Sequence, residues 1–302
     1  MKKIHLLPNL ITLGNAFCGL LALSYAIDGL AWQPDGVAPG TKEFAAARDA
    51  FFYVKMEQAC FLVFLAMVFD ALDGWVARLT GSASELGAQL DSFSDALTFG
   101  VTPALLAKVL IEHEGADLRS LSSPRLHFLA AALFASMAIL RLARFNLENE
   151  PDEEAHQSFK GLPSPAAAGA VVSTLWVYLV LRRPELEGAH GDVTPFGRVM
   201  GWMRDVDWSP FLRAVPPYLV VLLPIIGLLM ASRVKYVHAV SYLTRERHPF
   251  STFVLVVCAL FVFYLAPVPV LFVAFNGFWI AGLLRALVRR EPLFRAPKER
   301  QP

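Results

Sequence analysis

Of the 302 residues, 56% are drawn from AVILMFWYC and only 18% are charged, and the mean hydropathy is +0.49. A soluble chain carries about a quarter of its residues as charges, so this composition excludes a soluble globular enzyme. The 27 Lys and Arg against 26 Asp and Glu leave a net charge of +1, so no overall basic field draws the chain to nucleic acid, and none is expected as a partner.

A helix that crosses about 30 Å of hydrocarbon needs about 20 mostly apolar residues. The first such run, 10–27, carries no charge. It contains Asn15 and is followed by no small-x-small cleavage site, so it reads as a retained first helix and not as a signal peptide. Further spans are expected at 50–76, 92–110, 126–145, 164–182 and 214–232. The uncharged stretch between His248 and Arg285 is too long for one span, and Pro267 and Pro269 near its middle divide it into helices at about 250–264 and 268–288. The expected fold class is therefore all-α, a polytopic membrane helix bundle of about eight transmembrane helices. Segments 29–50 and 184–212, rich in Gly, Pro and mixed charge, read as outer loops. The EHEGAD segment after the third helix reads as a solvated outer loop. With both termini inside, the inner segments hold 16 of the 27 basic residues, which favours cytoplasmic termini. Cys18, Cys60 and Cys258 lie in apolar runs without the close Cys or His partners of a zinc site.

The segment FDALDGWVARLTGSASELGAQLDSFSDALTFG places Asp70, Asp73, Asp91 and Asp95 at the expected edges of two membrane helices. An Asp at mid-helix costs roughly 2.5 to 3.5 kcal/mol on the insertion scale, so four call for a reason. Asp70 and Asp73 share a face by their three-residue spacing, Asp91 and Asp95 by their four-residue spacing. The intervening turn makes the two helices antiparallel, so all four carboxylates are expected to converge. Such a group needs cations, and carboxylate oxygens suit Mg²⁺ or Mn²⁺; two such ions about 3.5 to 4 Å apart recur in displacement at phosphorus. The plain alternative is an ion pair of Asp70 or Asp73 with Arg78 and local capping by Asp95. Gly74, Ala77 and Gly87 are small enough to admit a neighbouring helix or a ligand.

The pattern Asp70-x2-Asp73-Gly74-x2-Ala77-Arg78-x8-Gly87-x3-Asp91-x3-Asp95 resembles the signature of the CDP-alcohol phosphatidyltransferases at every fixed position. The resemblance implies two divalent cations held by the first three aspartates on the diphosphate of a CDP-linked lipid, with Asp91 bridging both. It implies Asp95 as the general base, itself counted among the metal-site carboxylates, and Gly74, Ala77, Arg78 and Gly87 along the CDP-lipid. It also implies a six-helix core, here 1–240, with 241–302 a two-helix extension and cytoplasmic tail, and a homodimer.

Four further segments, LPNLITLGNAFCGL, ILRLARFN, FKGLPSPAAAG and LLMASRVKY, resemble the integral-membrane phosphatidylserine synthase branch. Asn9, Thr12 and Asn15 offer polar groups on one helix face, usable by the CDP-lipid or simply a polar helix entrance. Arg141, Arg144, Lys160, Arg233 and Lys235 are candidates for the serine carboxylate or a phosphate, since Arg offers a bidentate fork. Headgroup anchoring is the bland reading of these cations. The expected activity is transfer of the phosphatidyl group of CDP-diacylglycerol to L-serine, giving phosphatidylserine and CMP, in the cytoplasmic membrane with the site on the cytoplasmic side. Glycerol 3-phosphate, inositol phosphate or choline as acceptor remain open. A divalent-cation transporter is the remote alternative, which would favour mid-membrane carboxylates in repeated halves.

Overall fold

A computed structural model describes residues 6–80, 85–115, 123–148, 159–182, 206–236 and 249–289. The first helix shows how the bundle is built. α1 (Leu6–Ala31) buries Asn9, Thr12, Asn15, Ala22 and Ala26 and turns Leu7, Leu10, Leu13, Phe17, Leu20 and Ile27 outward. Lipid tails are as apolar as leucine, so helices in a membrane associate through small and polar residues and leave their large apolar ones to the lipid. α1 lies along α2 (Lys42–Thr80).

Next comes one helical rod from Glu85 to His113, made of α3 (Glu85–Asp95), a π-helical turn (Ala96–Val101) and α4 (Thr102–His113). α5 (Pro124–Glu148), α6 (Ser164–Arg182), α7 (Ser209–Ala231), α8 (Pro249–Leu265) and α9 (Pro267–Val288) complete the order. Seven helices among the described residues are long and apolar enough to cross a membrane, one fewer than the eight expected. The eighth position is α8, described from Pro249 onward over 17 residues.

Three boundaries differ from expectation for visible reasons. α2 begins at Lys42 inside the expected 29–50 loop, because the Thr41 hydroxyl accepts the Phe44 N–H (3.2 Å) and caps the first turn. Phe51 then stacks on Trp32 at 4.4 Å. α7 begins at Ser209 inside the expected 184–212 loop, where the Asp207 carboxylate accepts the Ser209 N–H at 3.0 Å. That N–H holds the Asp207 carboxyl below its ordinary value. Nor is the EHEGAD segment wholly a solvated loop. Glu112 and His113 finish α4, His113 stacks on Phe52 at 3.7 Å, and Glu114 accepts the Tyr53 hydroxyl at 2.5 Å.

α6 is buried along nearly its whole length and is packed by α2, α7 and α9. Asn276 on α9 donates to Ser173 Oγ (3.3 Å) and Thr174 Oγ1 (3.3 Å) of α6, while Trp279 Nε1 donates to Asn276 Oδ1 at 3.1 Å. The expected C-terminal extension is therefore docked on the core by hydrogen bonds that hydrocarbon cannot replace.

The all-α expectation has one small exception. β1 (Phe159–Lys160) and β2 (Lys235–Tyr236) pair antiparallel, Phe159 opposite Tyr236 and Lys160 opposite Lys235. Gly161 follows with φ +89°, a left-handed value that suits glycine, and a Cβ there would collide with the Met230 carbonyl. Its N–H donates to Val234 O at 2.9 Å.

Candidate active site

α2 and α3 bring one carboxylate oxygen each from Asp70, Asp91 and Asp95 to within 4.8 Å of one another. Asp70 and Asp91 are half-buried, and Asp95 is the most enclosed of the three. Asp70 stands about three turns before the end of α2, Asp91 about two turns after the start of α3, and Asp95 is its last residue, where the rod continues into the π-helical turn. Asp73 does not join the trio. It is 6% exposed, faces the Thr12 hydroxyl, and is near enough to interact electrostatically with Asp91 and Asp95. Asp73 Oδ2 and Asp91 Oδ1 are buried without a hydrogen-bond partner among the described residues. Like charges this near repel, and buried acceptors this bare call for a cation or donors from a ligand.

α1 forms the roof. Asn15 is fully buried and its Nδ2 donates to Asp95 Oδ1 at 3.2 Å. Asn9 and Thr12 are buried on the same helix face, and Thr12 Oγ1 donates to Pro8 O at 3.1 Å. Two residues that sequence reasoning missed secure this roof. Thr98 Oγ1 donates to Asn15 O (3.2 Å) from within the π-helical turn, and Thr102 Oγ1 donates to Leu97 O (3.0 Å) and lies 3.4 Å from Gly19 O. Their signal is a shared four-residue period, Asn15 and Gly19 on one helix and Thr98 and Thr102 on the other. π-helical turns in α-helices are frequent at functional sites, and this one begins directly after Asp95.

Of the residues expected along the CDP-lipid, Gly74 is half-buried with nothing within 4 Å of where a Cβ would stand. A ligand has room there. Ala77 and Gly87 are half-buried and Arg78 is exposed. Asn146, in the ILRLARFN segment, donates to Ser92 Oγ at 2.9 Å beside Asp91.

The cations separate by environment. Arg141 is 9% exposed, donates through Nη1 to Ser164 Oγ at 2.7 Å, and keeps a buried Nε without a partner among the described residues. It is close enough to Asp95 to interact electrostatically. Arg144 donates through Nη1 to Ala231 O (3.1 Å) and lies with Nη2 3.4 Å from Ser232 O, bracing the C-terminal end of α7. Arg233 is exposed. Lys160 and Lys235 stand opposite each other in the strand pair.

A helical membrane bundle that gathers carboxylates from two successive helices beneath a polar first helix defines a class of site suited to divalent-cation chemistry at phosphate. The chain belongs to the CDP-alcohol phosphatidyltransferase family, which it matches over residues 5–204. It is similar to a CDP-diacylglycerol–serine O-phosphatidyltransferase of Helicobacter pylori, 31% identical over 172 residues, 57% of this chain and 58% of that protein. An archaetidylserine synthase of Methanothermobacter thermautotrophicus is 34% identical over 169 residues, 55% of this chain and 56% of that protein. A CDP-diacylglycerol–serine O-phosphatidyltransferase of Bacillus subtilis is 28% identical over 175 residues, 58% of this chain and 78% of that protein. The chain thus spans a little over half the length of the first two of these relatives. α7, α8 and α9 lie beyond the family match.

Proposed function

We propose that the protein transfers the phosphatidyl group of CDP-diacylglycerol to L-serine, forming phosphatidylserine and releasing CMP. The observation that carries this reading is the trio Asp70, Asp91 and Asp95 within 4.8 Å, with Asp95 held from above by Asn15. The names of the relatives support serine as acceptor.

The donor set consists of carboxylate oxygens, two of them buried and unpartnered among the described residues, which fits hard divalent cations such as Mg²⁺ or Mn²⁺. Asp70, Asp73 and Asp91, with Asp95 alongside, are the residues that would hold two such ions. Bound there, the ions would neutralise charge on the diphosphate and on the departing oxygen. Asp95 accepts the proton of the serine hydroxyl as general base, and Asn15 orients it by donating to Oδ1. The serine oxygen bonds to the lipid-side phosphorus in line as the bond from that phosphorus to the bridging oxygen breaks, and CMP leaves with the electron pair. Arg141, buried, with an Nε that has no partner among the described residues and a charge that interacts with Asp95, is the candidate assigned to the serine carboxylate. Lys160 and Lys235 are assigned with it to the anionic group of the acceptor, Arg233 to the CDP-lipid, and Arg144 chiefly to bracing α7. Asn9, Thr12, Gly74, Ala77, Arg78 and Gly87 are assigned to the CDP-lipid.

The membrane is proposed to be the cytoplasmic one, with both termini and the site facing the cytoplasm, on the strength of the 16 of 27 basic residues in the inner segments. A homodimer is proposed from the family resemblance. The test is an assay in detergent with CDP-diacylglycerol, Mg²⁺ or Mn²⁺, and labelled serine, glycerol 3-phosphate, inositol phosphate or choline. Labelled phosphatidylserine and stoichiometric CMP are expected with serine. Preference for another alcohol removes the serine assignment, and no CMP with any alcohol removes the transferase reading. A parallel arm with CDP-archaeol decides the lipid, since one relative is named an archaetidylserine synthase.

A further inference from the structure

The family match ends at residue 204, yet the last helix is built onto the strand pair that carries two of the candidate cations. Tyr236, the end of β2, is 1% exposed. Its ring lies over Gly282 of α9 so closely that a Cβ at 282 would overlap it, and its centroid is 5.4 Å from that of Phe278, one turn earlier on α9. The Tyr236 hydroxyl is buried without a hydrogen-bond partner among the described residues. The ring is therefore held by packing and not by a polar anchor, and what it packs on is α9. α9 in turn is fixed to α6 by Asn276, which Trp279 of the same helix orients, and by the Phe275 ring lying on Gly169.

The strand pair is linked to the proposed site through Arg144, which borders Gly161 and interacts with Arg141, and Arg141 in turn interacts with Asp95. The pair's flanking backbone bonds run from Gly161 N–H to Val234 O and from Leu162 N–H to Leu229 O (3.1 Å). The same corner takes the Arg144 guanidinium, one turn from Arg141. The register sets Lys160 directly opposite Lys235, and like charges directly opposite destabilise an antiparallel pair. A pair only two residues long cannot hold two cationic positions together by its own hydrogen bonds.

We propose that α9 is a positioning element: by seating Tyr236 against Gly282 and Phe278 it holds the strand pair that carries Lys160 and Lys235, and so sets the affinity for the anionic acceptor. This rests on the serine-transfer reading above. Gly282 and Tyr236 act through the strands and are positioning residues, not catalytic ones. Glycine is required at 282 because only the absence of a side chain lets the aromatic ring lie on the helix backbone.

The experiment uses the full chain in detergent, with Gly282→Val, Tyr236→Ala, Tyr236→Phe, and the pair Gly282→Ala and Gly282→Ala/Tyr236→Leu. Hydrogen exchange of the 159–162 and 234–236 backbone is read beside KM for serine, KM for CDP-diacylglycerol and kcat. Gly282→Val and Tyr236→Ala should speed exchange there and raise serine KM by about 3- to 30-fold, part of the loss expected for a charge-assisted hydrogen bond. KM for CDP-diacylglycerol and kcat should stay within about twofold. Tyr236→Phe keeps the ring and should keep serine KM. Tyr236→Leu should recover part of the loss caused by Gly282→Ala, because the smaller side chain clears the overlap. Unchanged exchange in Gly282→Val overturns the proposal, as does a fall in apparent kcat in step with loss of folded protein while both KM values stay unchanged. Lys160→Gln and Lys235→Gln separate the two layers. If these raise serine KM while Gly282→Val speeds exchange without raising it, the positioning role falls and the serine reading stands. If neither lysine variant raises serine KM, the assignment of the strand pair to the acceptor fails, and the positioning role with it.

Discussion

The close approach of α1 to the π-helical turn allows a sharp test of how Asp95 is held. A Cβ on Gly19 would stand 2.5 Å from Thr98 Oγ1 and 3.2 Å from both Thr98 Cα and Cβ. Gly19→Ala therefore forces α1 and the turn apart by about 0.5 to 1 Å to reach ordinary contact distances. The Thr98 bond to Asn15 O starts at 3.2 Å and the Thr102 approach to Gly19 O at 3.4 Å, so such a shift breaks both. Overpacking of this kind costs about 1 to 3 kcal/mol of stability. The same shift carries Asn15 from its 3.2 Å bond to Asp95, and a misplacement of about 1 Å at a reacting centre can cost on the order of 100-fold in rate. A 10- to 100-fold fall in kcat at saturating substrates is therefore expected, with thermal unfolding in detergent measured in parallel. Gly19→Ala/Thr98→Ala removes the oxygen at 2.5 Å and should recover part of both losses, with a coupling of about 0.5 to 3 kcal/mol. If Gly19→Ala lowers stability but leaves kcat within about twofold, the helix contact serves packing alone and the positioning argument is refuted.

Asp91→Asn should abolish turnover and weaken Mn²⁺ binding with the protein still folded, whereas Asp95→Asn should abolish turnover while CDP-diacylglycerol still binds; near-normal turnover of the latter removes the general-base assignment. Arg141→Gln should raise serine KM by roughly 10- to 150-fold, the loss of one charge-assisted hydrogen bond to a carboxylate, and spare KM for CDP-diacylglycerol. Arg144→Gln should mainly lower the unfolding temperature, because its two donors face carbonyls at the end of α7; the opposite split reverses the two assignments. Single cysteines at Ser84 and Gly188, in a background lacking Cys18, Cys60 and Cys258, should label from opposite sides of sealed vesicles, and labelling from the same side overturns the helix count between them.

Membrane class, helical fold and the shared faces of Asp70 with Asp73 and of Asp91 with Asp95 are legible in the chain itself because each is a local property. Apolar length sets a span, and three- or four-residue spacing sets a shared face. The family motif is local in the same sense. Helix ends are less so: α2 and α3 run past their apolar stretches because Thr41 caps one and polar residues continue the other. What depends on which helices meet could not be read from spacing. Asp73 and Asp70 look equivalent in sequence, yet Asp73 turns to Thr12 on α1 while Asp70 joins Asp91 and Asp95. Arg141 and Arg144 look equally available, yet one is buried with an Nε that has no partner among the described residues and the other reaches the carbonyls at the end of α7. α9 looks like an appendage, yet Asn276 and Gly282 bind it to α6 and to Tyr236. In hydrocarbon no hydrophobic gradient chooses among helix faces, so the pairing falls to close contacts of small residues and a few hydrogen bonds, and these exist only once the helices are packed.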